Sequence, residues 1–137
     1  VAALALGADA VQMGTRFLAT VENNAHAVYK KMLIEAGESD VPVFSTLYHP
    51  SRALKSPVVN TILSMEAKLQ PSEDVRTFIG RGRARKAAHY GLIEEGMFYS
   101  GSGAGNIDEI LTVKEVFTRI LDEYGEVMGR LGALTSA

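Results

Sequence analysis

Ala8-Asp9-Ala10-Val11-Gln12-Met13-Gly14-Thr15-Arg16-Phe17-Leu18 is the stretch whose reading decides the fold. Ala10 to Met13 is a short, mostly apolar run that predicts a buried strand, and Gly14 ends it. Thr15 follows where a helical turn begins. The backbone N–H groups of Gly14 and Thr15 are therefore expected to face an anion in front of a helix N-terminus. Before this stretch, Ala2 to Leu6 reads as the end of a helix closed by Gly7. Helix, glycine, strand and phosphate-sized turn form the repeating unit of parallel α/β proteins, whose ligands sit at the carboxyl ends of the strands. Spacing alone leaves a second reading open, in which Gly14-Thr15 merely starts a helix.

The segment GADAVQMGTRFLAT (7–20) resembles the last-strand motif of the nitronate monooxygenases, FMN enzymes built on a TIM barrel. The resemblance continues through TVENNAHAVYKKML (20–33), more weakly through HPSRALKS (49–56), and again through EEGMFYSGSGAGNIDEI (94–110), covering most of the chain. It implies an α/β fold: the C-terminal part of an FMN-binding TIM barrel, with a mostly helical lid insertion and a long C-terminal helix. It also implies that Gln12, Met13, Gly14 and Thr15 hold the FMN phosphate. Gly101 and Ser102 form a secondary part of the expected cofactor set, beside the flavin. Ser102 stands where the family carries glutamine, which puts a side-chain contact from that position in doubt. The family's proton-handling histidine belongs to an upstream strand, and none of His26, His49 and His89 matches its motif, so no catalytic residue is expected in this chain. The implied substrates are an alkyl nitronate and oxygen, and the implied partner is the upstream part of the same barrel.

Composition agrees with a globular protein. The 137 residues are 47% apolar, enough for one packed core. The net charge of -2 gives no sign of a nucleic-acid or membrane partner. No apolar run reaches membrane-spanning length. The absence of cysteine excludes disulfides, thiol nucleophiles and cysteine metal sites, and agrees with the expected cytoplasmic location. Val1 is not an initiator residue and the first helix lacks a start, so the chain reads as a fragment. A closed barrel takes eight strands, of which this chain is expected to supply one, so most of the barrel is expected upstream.

Downstream, Thr20 is expected to cap a helix carrying Ala25, Val28, Tyr29, Met32, Leu33 and Ala36 on one face, closed by Gly37. His26 lies beside that stripe and reads as structural. Val41 to Tyr48 reads as an extended edge segment because of Pro42, and His49 to Leu54 as a loop in which His49 and Arg52 read as anchors bonding carbonyls, with an anion or substrate contact as the alternative. Ser56-Pro57 starts a helix with Val58, Val59, Ile62, Leu63 and Leu69 on its apolar face, ended by Pro71. Ser72 starts another, with Val75, Phe78 and Ile79 inward and Gly80 and Gly82 weakening its middle. Arg76, Arg81, Arg83, Arg85 and Lys86 read as a solvated face, since no stacking aromatics are interleaved.

Met97 to Ser100 reads as a strand leading into Gly101-Ser102-Gly103-Ala104-Gly105. The dinucleotide spacing fails, because Asn106 stands where a third glycine is required. The run instead predicts a close backbone approach. Thr112 to Glu115 is a capping box opening a helix whose stripe runs from Val113 to Leu131, with a frayed tail from Gly132. The expected divisions are 1–37 with the last barrel strand, 38–96 as the lid, and 97–137 as the glycine-rich return and final helix.

No nucleophile elbow, zinc-spaced histidine pair or P-loop lysine is present. Three alternatives to nitronate oxidation stay open: a flavin-dependent enoyl-acyl-carrier-protein reductase of the same superfamily, phosphate binding without flavin chemistry, and a non-catalytic helical interaction module.

Overall fold

A computed structural model describes residues 1–45 and 49–135. Its elements in order are α1 (Ala2–Ala5), α2 (Thr15–Leu18), α3 (Ala27–Glu35), β1 (Val43–Ser45), β2 (Pro50–Arg52), α4 (Pro57–Ala67), α5 (Ser72–Ile79), α6 (Arg83–Tyr90) and α7 (Val113–Thr135). Two 3-10 turns, Glu38–Asp40 and Ser102–Asn106, complete it. The described residues are mostly helical.

The strand expected at Ala10–Met13 does not form. The segment is exposed and unpaired. A parallel strand exists only through its ladder, and no described segment lies alongside to supply one. The one described sheet is the antiparallel pair β1–β2, in which Phe44 faces Ser51. Pro50, expected in a loop, opens β2, the strand position where a missing N–H does least harm. Thr46, Leu47 and Tyr48, the end of the expected extended segment, lie outside the described residues.

Helix starts were legible where the cap is local. Ser56 accepts the Val59 N–H at 3.3 Å with Pro57 in the first turn, and Val58, Val59 and Ile62 are buried. Leu69 departs from the expected face. The helix ends at Ala67, and Leu69 sits at φ 54° and is exposed. Thr20 is not the cap of α3. That role falls to His26, whose Nδ1 accepts the Val28 N–H at 3.2 Å, which agrees with its structural reading. Gly80 and Gly82 divide two helices rather than weaken one: both have positive φ, and Gly82 precedes the first turn of α6.

Two apolar clusters share the molecule. The first gathers Tyr29, Leu33, Val41, Leu54, Phe98 and Ile107, and the second Phe44, Val58, Ile62, Val75 and Met97. Met97 and Phe98 are adjacent and point to different clusters, as the twofold alternation of an extended segment dictates. That segment is held by Leu54 N–H to Phe98 O at 2.8 Å and Ser100 N–H to Arg52 O at 3.2 Å, with one antiparallel bridge between Ala53 and Tyr99. Beneath it, Tyr29 packs edge-on to Phe98 and donates its hydroxyl to Tyr99 O. Burial, with a smaller electrostatic contribution from Tyr99, raises the Tyr29 phenol above its usual range, so it remains a donor.

The capping box of α7 forms as expected, with Thr112 N–H donating to Glu115 Oε2 at 2.7 Å and Glu115 N–H to Thr112 Oγ1 at 3.2 Å. The helix runs past the expected fraying point at Gly132 to Thr135, and Ser136 and Ala137, the rest of that tail, lie outside the described residues. Its apolar stripe is largely open: Val116 is buried, whereas Phe117, Leu121, Tyr124, Met128 and Leu131 are exposed.

Candidate functional site

The turn at Gly14 is built by a short helix behind an extended approach. Gly14 O accepts from Phe17 N–H at 3.0 Å and Leu18 N–H at 3.2 Å, which fixes α2. The amides of Gly14 and Thr15 donate to no acceptor among the described residues. Gln12, Met13 and Gly14 are exposed, and Thr15 is half-buried. The two open donors adjoin each other, the arrangement that favours an anion.

The structure brings the two expected halves of the site together. Thr15 Oγ1 accepts the Gly101 N–H at 2.9 Å across 86 positions of sequence. Gly101 precedes the 3-10 turn containing Ser102, and the expected close approach occurs at Gly105, where a Cβ would sit 3.0 Å from Glu38 N. Gln12 and Met13 approach the turn without a hydrogen bond to it. The Met13 side chain instead joins Val11 in lining an apolar groove of about 520 Å³ shared with Ile120, Leu121 and Tyr124 of α7.

Three long-range ties were missed from the sequence. The Arg16 guanidinium donates through Nη2 to Ala19 O at 3.3 Å and to Glu109 O at 3.1 Å. Thr20 bridges Leu111 in parallel register, with Val21 N–H donating to Leu111 O at 2.9 Å. The Glu22 carboxylate accepts the Val113 N–H at 3.0 and 2.9 Å, placing a negative charge at the N-terminus of α7. Each pairs residues about ninety positions apart, which no local pattern encodes.

The remaining candidates are structural. Arg52 donates to Val41 O at 3.0 Å, the carbonyl-anchoring role expected of it. His49 lies near Ser51 and Pro50. In the basic run, Arg83 donates to Phe78, Ile79 and Glu95 carbonyls, Lys86 pairs with Glu95, and Arg76 with Glu73. No group of three or more metal-ligating side chains occurs among the described residues.

With this geometry in view, the sequence matches the nitronate monooxygenase family over residues 1–123. The chain belongs to the nitronate monooxygenase family. Within it, a probable nitronate monooxygenase of Bacillus subtilis is 28% identical over 124 residues, covering 89% of this chain and 35% of the relative. A second, from Staphylococcus saprophyticus, is 23% identical over 131 residues, covering 95% and 36%. Among solved structures, FabK from Thermotoga maritima superposes with a TM-score of 0.87 at 41% identity, over 96% of this chain and 42% of that one. Its M276A mutant gives 0.80 at 39%, over 96% and 38%. The chain thus spans about a third of the curated relatives and two fifths of FabK.

The turn fits the phosphate of FMN. Its donors are two adjoining backbone amides, chemistry that suits a phosphate, and a Cβ built at Gly14 meets nothing within 4 Å, so the backbone is unobstructed on that side. Gly103, two residues beyond the tie to Thr15, is equally open.

Proposed function

We propose that this chain is the C-terminal part of an FMN-dependent oxidoreductase that oxidises alkyl nitronates with molecular oxygen. The observation that carries the reading is the Thr15–Gly101 hydrogen bond, which joins the two stretches expected at the cofactor, beside two amides with no acceptor. The family match over residues 1–123 supports it.

FMN, when bound, supplies two-electron chemistry between nitronate and oxygen. This chain's share is binding and orientation. Gly14 and Thr15 amides hold the phosphate, Gln12 and Met13 flank it, and Gly101 and Ser102 form the adjoining rim. Anchoring the charged tail fixes where the ring lies, which is how remote contacts contribute to rate. The proton-handling group and the remaining barrel strands belong to an upstream portion, and residues 38–96 form the lid that limits water. A cytoplasmic location belongs to the same proposal. Among the described residues no helix is long and apolar enough to cross a membrane.

A second reading, the flavin-dependent enoyl-acyl-carrier-protein reductase, has one observation behind it. The FabK structures are 39% and 41% identical to this chain, whereas the curated relatives named as nitronate monooxygenases are 23% and 28% identical. The decisive experiment uses the full-length protein under anaerobic conditions. Flavin bleaching by an alkyl nitronate but not by NAD(P)H is expected for the monooxygenase. Rapid bleaching by NAD(P)H assigns the reductase, and a protein purified without visible flavin absorbance returns the chain to a non-redox or interaction role.

A further inference from the structure

Arg16 follows Thr15 directly, and its side chain runs away from the open amides rather than toward them. Its Nη2 donates to Ala19 O at 3.3 Å, at the far end of α2, and to Glu109 O at 3.1 Å, in the segment after the glycine run. The Nε atom is buried with no hydrogen-bond partner. A buried, unsatisfied donor costs free energy. The guanidinium is therefore held by its two carbonyls and not by its own best solvation.

Seen from the turn, α2 is pinned on two sides. Thr15 Oγ1 takes the Gly101 N–H on one side, and Arg16 takes Glu109 O on the other. The loop reached by Arg16 is itself fixed, because Arg119 of α7 pairs with the Glu109 carboxylate at 2.7 Å. Both bonds leave the one Nη2 nitrogen, at the tip of a side chain longer than lysine's. Lysine keeps the charge, but its shorter stem does not carry a donor as far as both carbonyls.

We propose that Arg16 is a positioning residue for the phosphate turn: by bridging Ala19 O and Glu109 O it sets the direction in which the Gly14 and Thr15 amides point. The proposal rests on the FMN reading and adds to it a residue that acts without touching the cofactor. An amide pair pays off in affinity only when it is aimed in advance, so loosening this bridge weakens recognition of the phosphate and leaves contacts to the ring unchanged.

The test measures FMN and riboflavin affinities of full-length wild type, Arg16→Met and Arg16→Lys by flavin fluorescence quenching, with the melting temperature of each flavin-free protein. Riboflavin lacks the phosphate. Arg16→Met is expected to lose about tenfold or more of the preference for FMN over riboflavin, at the scale of a hydrogen bond from a charged donor. Arg16→Lys is expected to lose most of it while retaining charge, which keeps the test informative if the methionine variant misfolds. Equal loss of both affinities in either variant, or an unchanged preference in a folded one, overturns the proposal. A wild type that binds riboflavin as tightly as FMN instead overturns the phosphate-site reading beneath it.

Discussion

Replacing Gly91 with alanine tests how the α6 end is fitted to the start of α3. Gly91 closes α6 at φ 60° and ψ 27°, and its Cβ would lie 2.2 Å from His26 Nδ1 and 2.7 Å from Cε1. Two costs add. An L-residue in the left-handed region costs about 1 kcal/mol or slightly more. The collision forces the imidazole aside, and His26 then loses the Val28 N–H it caps, a further cost of about 1 kcal/mol. The total of about 2 to 3 kcal/mol is a large share of the stability of an ordinary domain, roughly 5 to 15 kcal/mol. Gly82→Ala is the control, because φ there is 87° but a Cβ meets nothing within 4 Å, so it carries strain without collision. Urea unfolding of the full-length protein is expected to rank Gly91→Ala below Gly82→Ala by about 1 kcal/mol or more. His26→Ala in the same background should shrink that gap by removing the obstacle. Equal midpoints for the two glycine variants, or strict additivity with His26→Ala, would refute the reasoning.

Thr15→Val keeps shape but removes the acceptor of the Gly101 N–H, and FMN affinity of the full-length protein is expected to fall roughly three- to tenfold. An unchanged dissociation constant would separate the glycine run from the cofactor. Acidification gives a prediction of definite sign. The Gly37 amide and then Lys55 hold Asp40 below the usual carboxylate range, Lys86 does the same for Glu95, and the Thr112 hydroxyl and amide for Glu115. Because these folded-state values are depressed, their contribution is present above the ordinary carboxylate value and is lost as pH falls through the lowered ones. All three face solvent, so the effect is modest, and salt weakens the two lysine-paired contributions. The urea midpoint should therefore decline as the pH falls below about 5, and a flat or rising midpoint contradicts these assignments.

What the sequence made legible was local. The Ser56-Pro57 start of α4 and the Thr112–Glu115 box each depend on residues within four positions, and each appears as read; at Gly14 a helical turn begins, which both readings of that stretch required. Leu33 and Val58 followed helical spacing into the core for the same reason. Errors arose where the deciding partner is remote or missing from the pattern. Ala10 to Met13 has strand composition, but a strand also needs neighbours. Thr20 has the chemistry of a helix cap, yet its hydroxyl donates to Phe17 O at 2.9 Å and its backbone bridges Leu111. In the candidate site, Gly14 and Thr15 were visible through their spacing and the family resemblance. Arg16 was in the same motif, but its function as a bridge depends on Glu109, ninety-three residues away.

Where the phosphate docks decides whether Gly14 and Thr15 hold a flavin. A crystal structure of the full-length protein with FMN tests this directly. The phosphate oxygens are expected about 2.7 to 3.2 Å from the Gly14 and Thr15 amide nitrogens, with Thr15 Oγ1 still accepting from Gly101. Phosphate density elsewhere in the barrel, with those amides turned to solvent or to a protein carbonyl, would contradict it.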